Sequence, residues 1–176
     1  MGWYYANNDV QSARYYLGTR GKKHLLCLGM SPGVSTPASI DDSILNVEQM
    51  AFTNGFDSWI MMNVYPRRME KQANGTGGGW DRDLHRENLK HIRDILAEIR
   101  EKEEHPVIWA AWGSYIKEQD HYMACLEEIV ALAKEYESRW ITFTEVPDGE
   151  HPEHCLDSVP AGEQRPFDID RYLARQ

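Results

Sequence analysis

Cysteine is scarce in this sequence, and surplus positive charge is absent. The three cysteines, Cys27, Cys125 and Cys155, are far apart and odd in number. They do not form the disulfide framework of a small secreted domain, and a reducing cytoplasm is the expected compartment. Acidic residues outnumber basic ones by 28 to 19, giving a formal net charge of −9. Such a chain is repelled on average by polyanions, which disfavours nucleic acid as a partner. No apolar run approaches the roughly 18 residues of a membrane-spanning helix. The opening stretch, Met1 to Val10, lacks a basic start followed by an apolar segment, so no secretory leader is expected. Hydrophobic residues at 41% and charged ones at 27% exclude a disordered composition. A single α/β domain over residues 1–176 is the expected organisation, with no internal repeat.

What is present is an alternation of two patterns. Short apolar runs at His24–Met30, Trp59–Val64, Val107–Ala111 and Trp140–Thr144 read as strands covered on both faces. Between them lie helical spacings. Ile44, Val47, Met50 and Ala51 mark one helix, capped by Asp41, Asp42 or Ser43 and stopped at Asn54-Gly55. Ile92, Ile95, Leu96 and Ile99 mark a long one that Asp81 caps, and Tyr122, Leu126, Ile129, Val130 and Ala133 mark a third. Val10, Ala13 and Leu17 predict a further short helix over Asp9–Tyr16. A flexible glycine-rich loop is expected at 72–80, and an irregular segment from 147 onwards. The order implies a three-layer, Rossmann-like sandwich with a mostly parallel sheet of at least four strands.

In such a sheet, ligands bind beyond the carboxyl ends of the strands. That rule gathers residues distant in sequence. Ser31-Pro32-Gly33 follows the first apolar run and can turn backbone amides towards an anion. Asp41 and Asp42 are the candidate catalytic carboxylates, able to orient a water, and His154 is a candidate acid or base. Asn63 ends the second strand with a carboxamide that can read a base or sugar by donor and acceptor together. Arg67 and Arg68 offer guanidinium forks for phosphate or carboxylate. Trp112 is placed to stack on a planar ligand, Gly113 ends the third strand, and Asn88 can reach back from the long helix. Ser31, Gly33, Asn63, Arg67, Arg68, Asn88, Trp112 and Gly113 are thus the candidate ligand-binding set.

Several motifs fail on their chemistry. The glycine-rich loop lacks the Lys-Ser/Thr ending of a phosphate-binding P-loop. Gly29-Met30-Ser31-Pro32-Gly33 fits the spacing of a nucleophile elbow, but Pro32 has no amide hydrogen for an oxyanion. His151, His154 and Cys155 lack a second cluster to complete four zinc ligands, so no metal and no cofactor is expected.

Taken together, these residues resemble domain-of-unknown-function family 1643, which has no settled activity. The resemblance runs from about Cys27 to Phe167. It rests on Ser31-Pro32-Gly33, Asp41-Asp42-Ser43, Asn63-Val64-Tyr65-Pro66-Arg67, Glu87-Asn88, Ala111-Trp112-Gly113, and His154-Cys155-Leu156 followed by Gly162 and Pro166. Ser31 stands where that family has asparagine, Gly33 where it has serine, and Arg165 where a late histidine precedes proline. The resemblance implies an α/β fold and a shared polar set. A fainter likeness links Gly29–Gly33 to the Gly-x-x-Pro-Gly loop of mismatch-type uracil-DNA glycosylases, which hold a flipped base by an amide and activate water.

The first function class these features allow is a small-molecule enzyme, a hydrolase of a nucleoside-like or other polar ligand. A non-enzymatic nucleotide or small-ligand binding module would use the same rim, and a uracil-DNA-glycosylase-like enzyme is the third class. A small molecule is the expected partner in the first two, and the sequence does not specify an oligomeric state.

Overall fold

The structure is a computed structural model that describes residues 2–68, 79–102, 105–158 and 162–176. The glycine-rich loop expected at 72–80 lies outside the described residues except for Gly79 and Trp80. Seven strands form one sheet in the order β1-β2-β4-β3-β5-β6-β7. They are β1 (Trp3–Asn7), β2 (Arg14–Thr19), β3 (His24–Gly29), β4 (Ser58–Asn63), β5 (Val107–Ala110), β6 (Arg139–Thr142) and β7 (Arg165–Pro166). The helices are α1 (Asp42–Thr53), α2 (Arg82–Lys102), α3 (Asp120–Glu135) and α4 (Ile169–Leu173), with a short 3-10 turn over Ser114–Lys117.

The four expected strands form the centre of this sheet and run parallel, β4 to β3, β3 to β5 and β5 to β6. Side chains alternate across them. Leu26, Leu28, Ile60, Met62, Ile108 and Ala110 pack with residues of α2, α3 and α4 on one face. Leu25, Cys27, Trp59, Met61, Val107 and Trp109 pack with Ile44, Val47, Met50 and Ala51 of α1 on the other. That double cover is why the strands read as continuous apolar runs rather than alternating ones. The result is the three-layer α/β sandwich. Asp41 caps α1 by accepting from the Ile44 amide, and Asp81 caps α2 through the amides of Asp83 and Leu84. Among the described residues, no helix is long and apolar enough to cross a membrane.

The helix expected over Asp9–Tyr16 does not form. Residues 8–13 are a turn between β1 and β2, which pair antiparallel. Asn8 closes the turn: its Oδ1 accepts from the Ala13 amide at 2.9 Å and its Nδ2 donates to Ser12 Oγ at 2.8 Å. Gln11 adopts a positive φ of 55°, and Val10 lies in solvent instead of on a buried face. The aromatic residues Trp3, Tyr4, Tyr5, Tyr15 and Tyr16 favour a pleated, half-buried surface, and tertiary pairing with β4 decides the outcome.

Gly18 permits that pairing. A Cβ at this position would lie 2.2 Å from the Trp59 carbonyl oxygen and 2.7 Å from Ile60 Cα. Both are backbone atoms that cannot swing aside. Gly18→Ala is therefore expected to destabilise the protein by about 1–3 kcal/mol, the usual range for overpacking. Urea unfolding checks this, and an unchanged midpoint would show that the β2–β4 contact relaxes freely.

Candidate functional site

The chain leaves β3 through α1 to reach β4 on one side, and leaves β5 through α3 to reach β6 on the other. Connections that depart in opposite directions from neighbouring strands open a crevice at their carboxyl ends. A cavity of about 150 Å³ lies there, lined by Met30 and Ser31 after β3, Tyr115 and Glu118 after β5, Tyr122 of α3, and His154. Its volume is well under the roughly 300–1,000 Å³ of sites for drug-sized ligands. It matches one planar ring. A larger hollow of about 450 Å³ lies elsewhere, between residues 142–150 and the C-terminal helix. It includes none of the candidate residues, and Asp148 there is already paired with Arg171 and Arg175.

Next to the crevice, the loop from Ser31 to Asp41 is tied down by buried polar groups. The Arg68 guanidinium donates to the Gly33 carbonyl at 2.6 Å and to the Tyr5 hydroxyl at 3.2 Å. Arg14 donates to the Ser35 carbonyl at 3.1 Å, and Ser35 Oγ accepts from the Asp41 amide at 2.8 Å. Asp41 Oδ2 sits 3.0 Å from where a Cβ on residue 33 would stand, so glycine is needed there for close approach. Asp41 Oδ1 is occupied as the α1 cap.

His154 and Cys155 join the cavity to this cluster. The Cys155 sulfur lies 3.9 and 4.0 Å from the two ring nitrogens of His154. Asn46 of α1 holds the segment in place by donating to the carbonyls of Cys155 and Ser158. Gly113, at φ +66°, allows the approach, since a Cβ there would meet His154 Cβ at 3.2 Å. A hydrogen bond with Cys27 pulls the Cys155 thiol down to about 5; burial opposes this, and His154 adds to the lowering. Burial tends to discharge His154, but Cys155, Asp157 and Asp41 outweigh it and raise the imidazole above its usual value. Cys155 is nevertheless fully buried, which keeps its sulfur from solvent-borne reagents.

Asn63 ends β4 in register with Gly29. It is fully buried, and neither its Oδ1 nor its Nδ2 has a hydrogen-bond partner among the described residues. Its Oδ1 is 3.4 Å from the Cβ position that Gly29 leaves empty. Asn88 of α2 fixes the backbone beneath it, donating to the Asn63 carbonyl at 2.9 Å, while its own Oδ1 is likewise buried and unpartnered.

The candidate residues thus fall into two groups. Ser31, Gly33, Asp41, Asn63, Arg68, Gly113 and His154 come to one rim, with Asn88 beneath it. Asp42, Arg67 and Trp112 do not join them. Asp42 is exposed on the first turn of α1. Arg67 turns to Asp81, 3.8 Å away. Trp112 is fully buried against Trp140, Phe167 and Tyr172, so the expected stacking on a ligand is replaced by core packing. Its indole donates to the Tyr172 hydroxyl at 3.1 Å, which leaves that hydroxyl's proton for His151 Nδ1 at 2.7 Å. The sequence reading missed Arg14, Cys27, Asn46, Tyr122 and the pairing of His154 with Cys155. Only the adjacency of His154 and Cys155 was visible in the sequence. Among the described residues, no group of three or more His, Cys, Asp or Glu is arranged to hold a metal.

Because Cys27 contributes most to the low Cys155 value, Cys27→Ala is expected to raise it towards the ordinary cysteine range of about 8.5. Thiolate absorbance at 240 nm against pH reads this cleanly, since burial holds Cys125 up at about 12. A midpoint that stays put would remove Cys27 from the explanation.

A protein of Sinorhizobium sp. named uracil-DNA glycosylase is 27% identical over 128 residues, which is 64% of this chain and 53% of that protein. The chain therefore spans about half the length of this curated relative. No solved structure matches it. The profile of one family covers residues 14–156, most of the sheet and every rim residue described above, and the chain belongs to that family, Protein of unknown function (DUF1643).

Proposed function

We propose that this protein is a hydrolase that holds a nucleobase-like ring at the carboxyl rim of β3, β4 and β5 and cleaves the bond joining that ring to its sugar. The observation that carries this reading is Asn63. A buried carboxamide left without partners costs about 1–3 kcal/mol, and native structures rarely retain one without a use. An amide pairs with the edge of a base through one donor and one acceptor, the two atoms that Asn63 leaves unpaired. The cavity beyond the end of β3 has the size of one ring, with Ser31 and His154 on its wall; Asn63 is not part of its lining, so the proposed pairing requires the ring to reach past that wall to the carboxamide.

Asp41 Oδ2 and His154 are the proton-handling groups in this proposal. Asp41 takes a proton from water, the water oxygen attacks the carbon bearing the ring, and the C–N electron pair leaves with the ring. His154 then supplies the ring's proton. Paired acid–base assistance of this kind contributes about 10²–10⁴-fold. The name of the Sinorhizobium relative supports base release as the reaction class. The net charge of −9 favours a free nucleoside-like substrate over duplex DNA. The engagement of Asp41 Oδ1 as a helix cap favours a second reading, a binding module without turnover.

Asn63→Leu is expected to abolish ligand binding while leaving thermal stability unchanged or higher, because a near-isosteric apolar side chain removes the unpaired amide. Calorimetry with uridine, 2′-deoxyuridine and adenosine measures binding, and chromatography of released base measures turnover. A uracil-containing duplex run in parallel tests the DNA substrate. If wild-type protein neither binds nor cleaves any of these, the reading is wrong; binding without base release favours the binding module.

A further inference from the structure

Arg14 and Arg68 present an electrostatic problem that their hydrogen bonds do not solve. The start of β2 pairs with the segment after β4: Arg14 donates its amide to the Pro66 carbonyl, Arg68 donates its amide to the Ser12 carbonyl, and Ala13 bridges Arg67. In that antiparallel register, residues 12, 14, 66 and 68 share one face, so the two guanidiniums project to the same place. Both reach the Ser35 carbonyl, Arg14 at 3.1 Å and Arg68 at 3.5 Å. Arg14 is 1% exposed.

Arg68 beside it is half-buried, and a buried cation next to a second one requires compensation. Among the described residues, no carboxylate lies within 4.0 Å of either guanidinium. Asp41 is the carboxylate that acts on Arg14 from farther off. His154 and Cys155 do not change the balance, because a thiol with a neutral imidazole and a thiolate with an imidazolium have the same total charge. Among the described residues, one positive charge is left over beside the buried Arg14, in a protein whose net charge is −9. Burial, and then the Arg68 charge, bring Arg14 down to about 10. The Nε atoms of both arginines are also buried, without hydrogen-bond partners among the described residues. Fastening the Gly33–Ser35 carbonyls accounts for the Nη donors, but explains neither the paired charge nor the idle Nε groups.

We propose that Arg14 and Arg68 form an anion subsite for the phosphate of a nucleoside monophosphate whose ring occupies the neighbouring pocket. This inference rests on the proposed function for the ring, and on the arginine pair alone for the phosphate. Guanidinium forks bind phosphate oxygens in pairs, which is the specific use of arginine over lysine. A cavity of about 150 Å³ accommodates the ring and leaves the phosphate to be held outside it. Gly33, between the pair and Asp41, keeps the intervening turn free of side-chain bulk.

The test begins with inorganic phosphate on the wild-type protein, read by thermal unfolding, with chloride and acetate at matched ionic strength as controls. Phosphate is expected to raise Tm where chloride and acetate do not. Equal shifts from all three, or none, overturn the subsite. Calorimetry then compares uridine with uridine 5′-monophosphate, for which at least tenfold tighter binding of the monophosphate is expected. Arg68→Gln should remove the phosphate shift and bring the monophosphate to the affinity that the same variant shows for uridine. Arg14→Gln should do the same where it folds; if it does not fold, the wild-type and Arg68→Gln arms still decide. Asn63→Leu should lose uridine yet keep the phosphate shift, which separates failure of the ring reading from failure of the subsite. A phosphate shift with no gain from the monophosphate overturns the nucleotide as ligand.

Discussion

Strand β3 is hydrogen-bonded along both edges, to β4 and to β5, and all six of its residues are buried. Such a strand is apolar from Leu25 to Leu28, with the polar His24 at its start, and it admits no slip in register, because a shift by one residue would exchange the two faces it presents to α1 and to α2 and α3. It also sets where the chain departs from apolar burial. Beyond Gly29 the sheet no longer covers the backbone, and the polar turn Ser31-Pro32-Gly33 begins. Since β3 and β5 send their connections in opposite directions, the crevice falls there and not at another strand end.

The rim combines two kinds of polar group with different physical meaning. Asp41 Oδ1, Asn46 and Ser35 are satisfied and structural, and they stiffen the loop and the segment carrying His154. Asn63, the Asn88 Oδ1 and the Nε atoms of Arg14 and Arg68 are buried and have no hydrogen-bond partner among the described residues. A fold held only by stability would have little reason to keep the second kind, since apolar residues of similar shape are neutral or better. Unpartnered buried atoms also occur away from the rim, at Thr19 and Ser138 for example; those at the rim are the ones that the proposed function would use.

Cys155 connects these groups electrically. Its sulfur interacts with Cys27, His154, Asp41 and Arg14, residues drawn from β3, the segment after β6, the loop before α1, and β2. A charge change at this one atom is therefore felt by Asp41, His154 and Arg14. That coupling comes from convergence of loops and strand ends, and no stretch of sequence contains it.

The parallel core, the three helices packed on it and the cap at Asp81 were legible in the sequence, because burial on two faces and the 3.6-residue period leave signals within a single segment; the cap of α1 was narrowed only to Asp41, Asp42 or Ser43, and the structure selects Asp41. The N-terminal hairpin was not. The spacing of Val10, Ala13 and Leu17 also fits a helix, and only pairing with β4 across Gly18 selects the strand. Of the rim, the sequence determined that Ser31, Gly33, Asp41, Asn63, Arg68, Gly113 and His154 follow or flank strand ends. The tertiary structure alone decided that Trp112 turns into the core, that Asp42 faces solvent, and that Arg14 and Cys155 belong to the rim. The direction of a side chain at the end of an element depends on which neighbours pack around it, and those neighbours come from elsewhere in the chain.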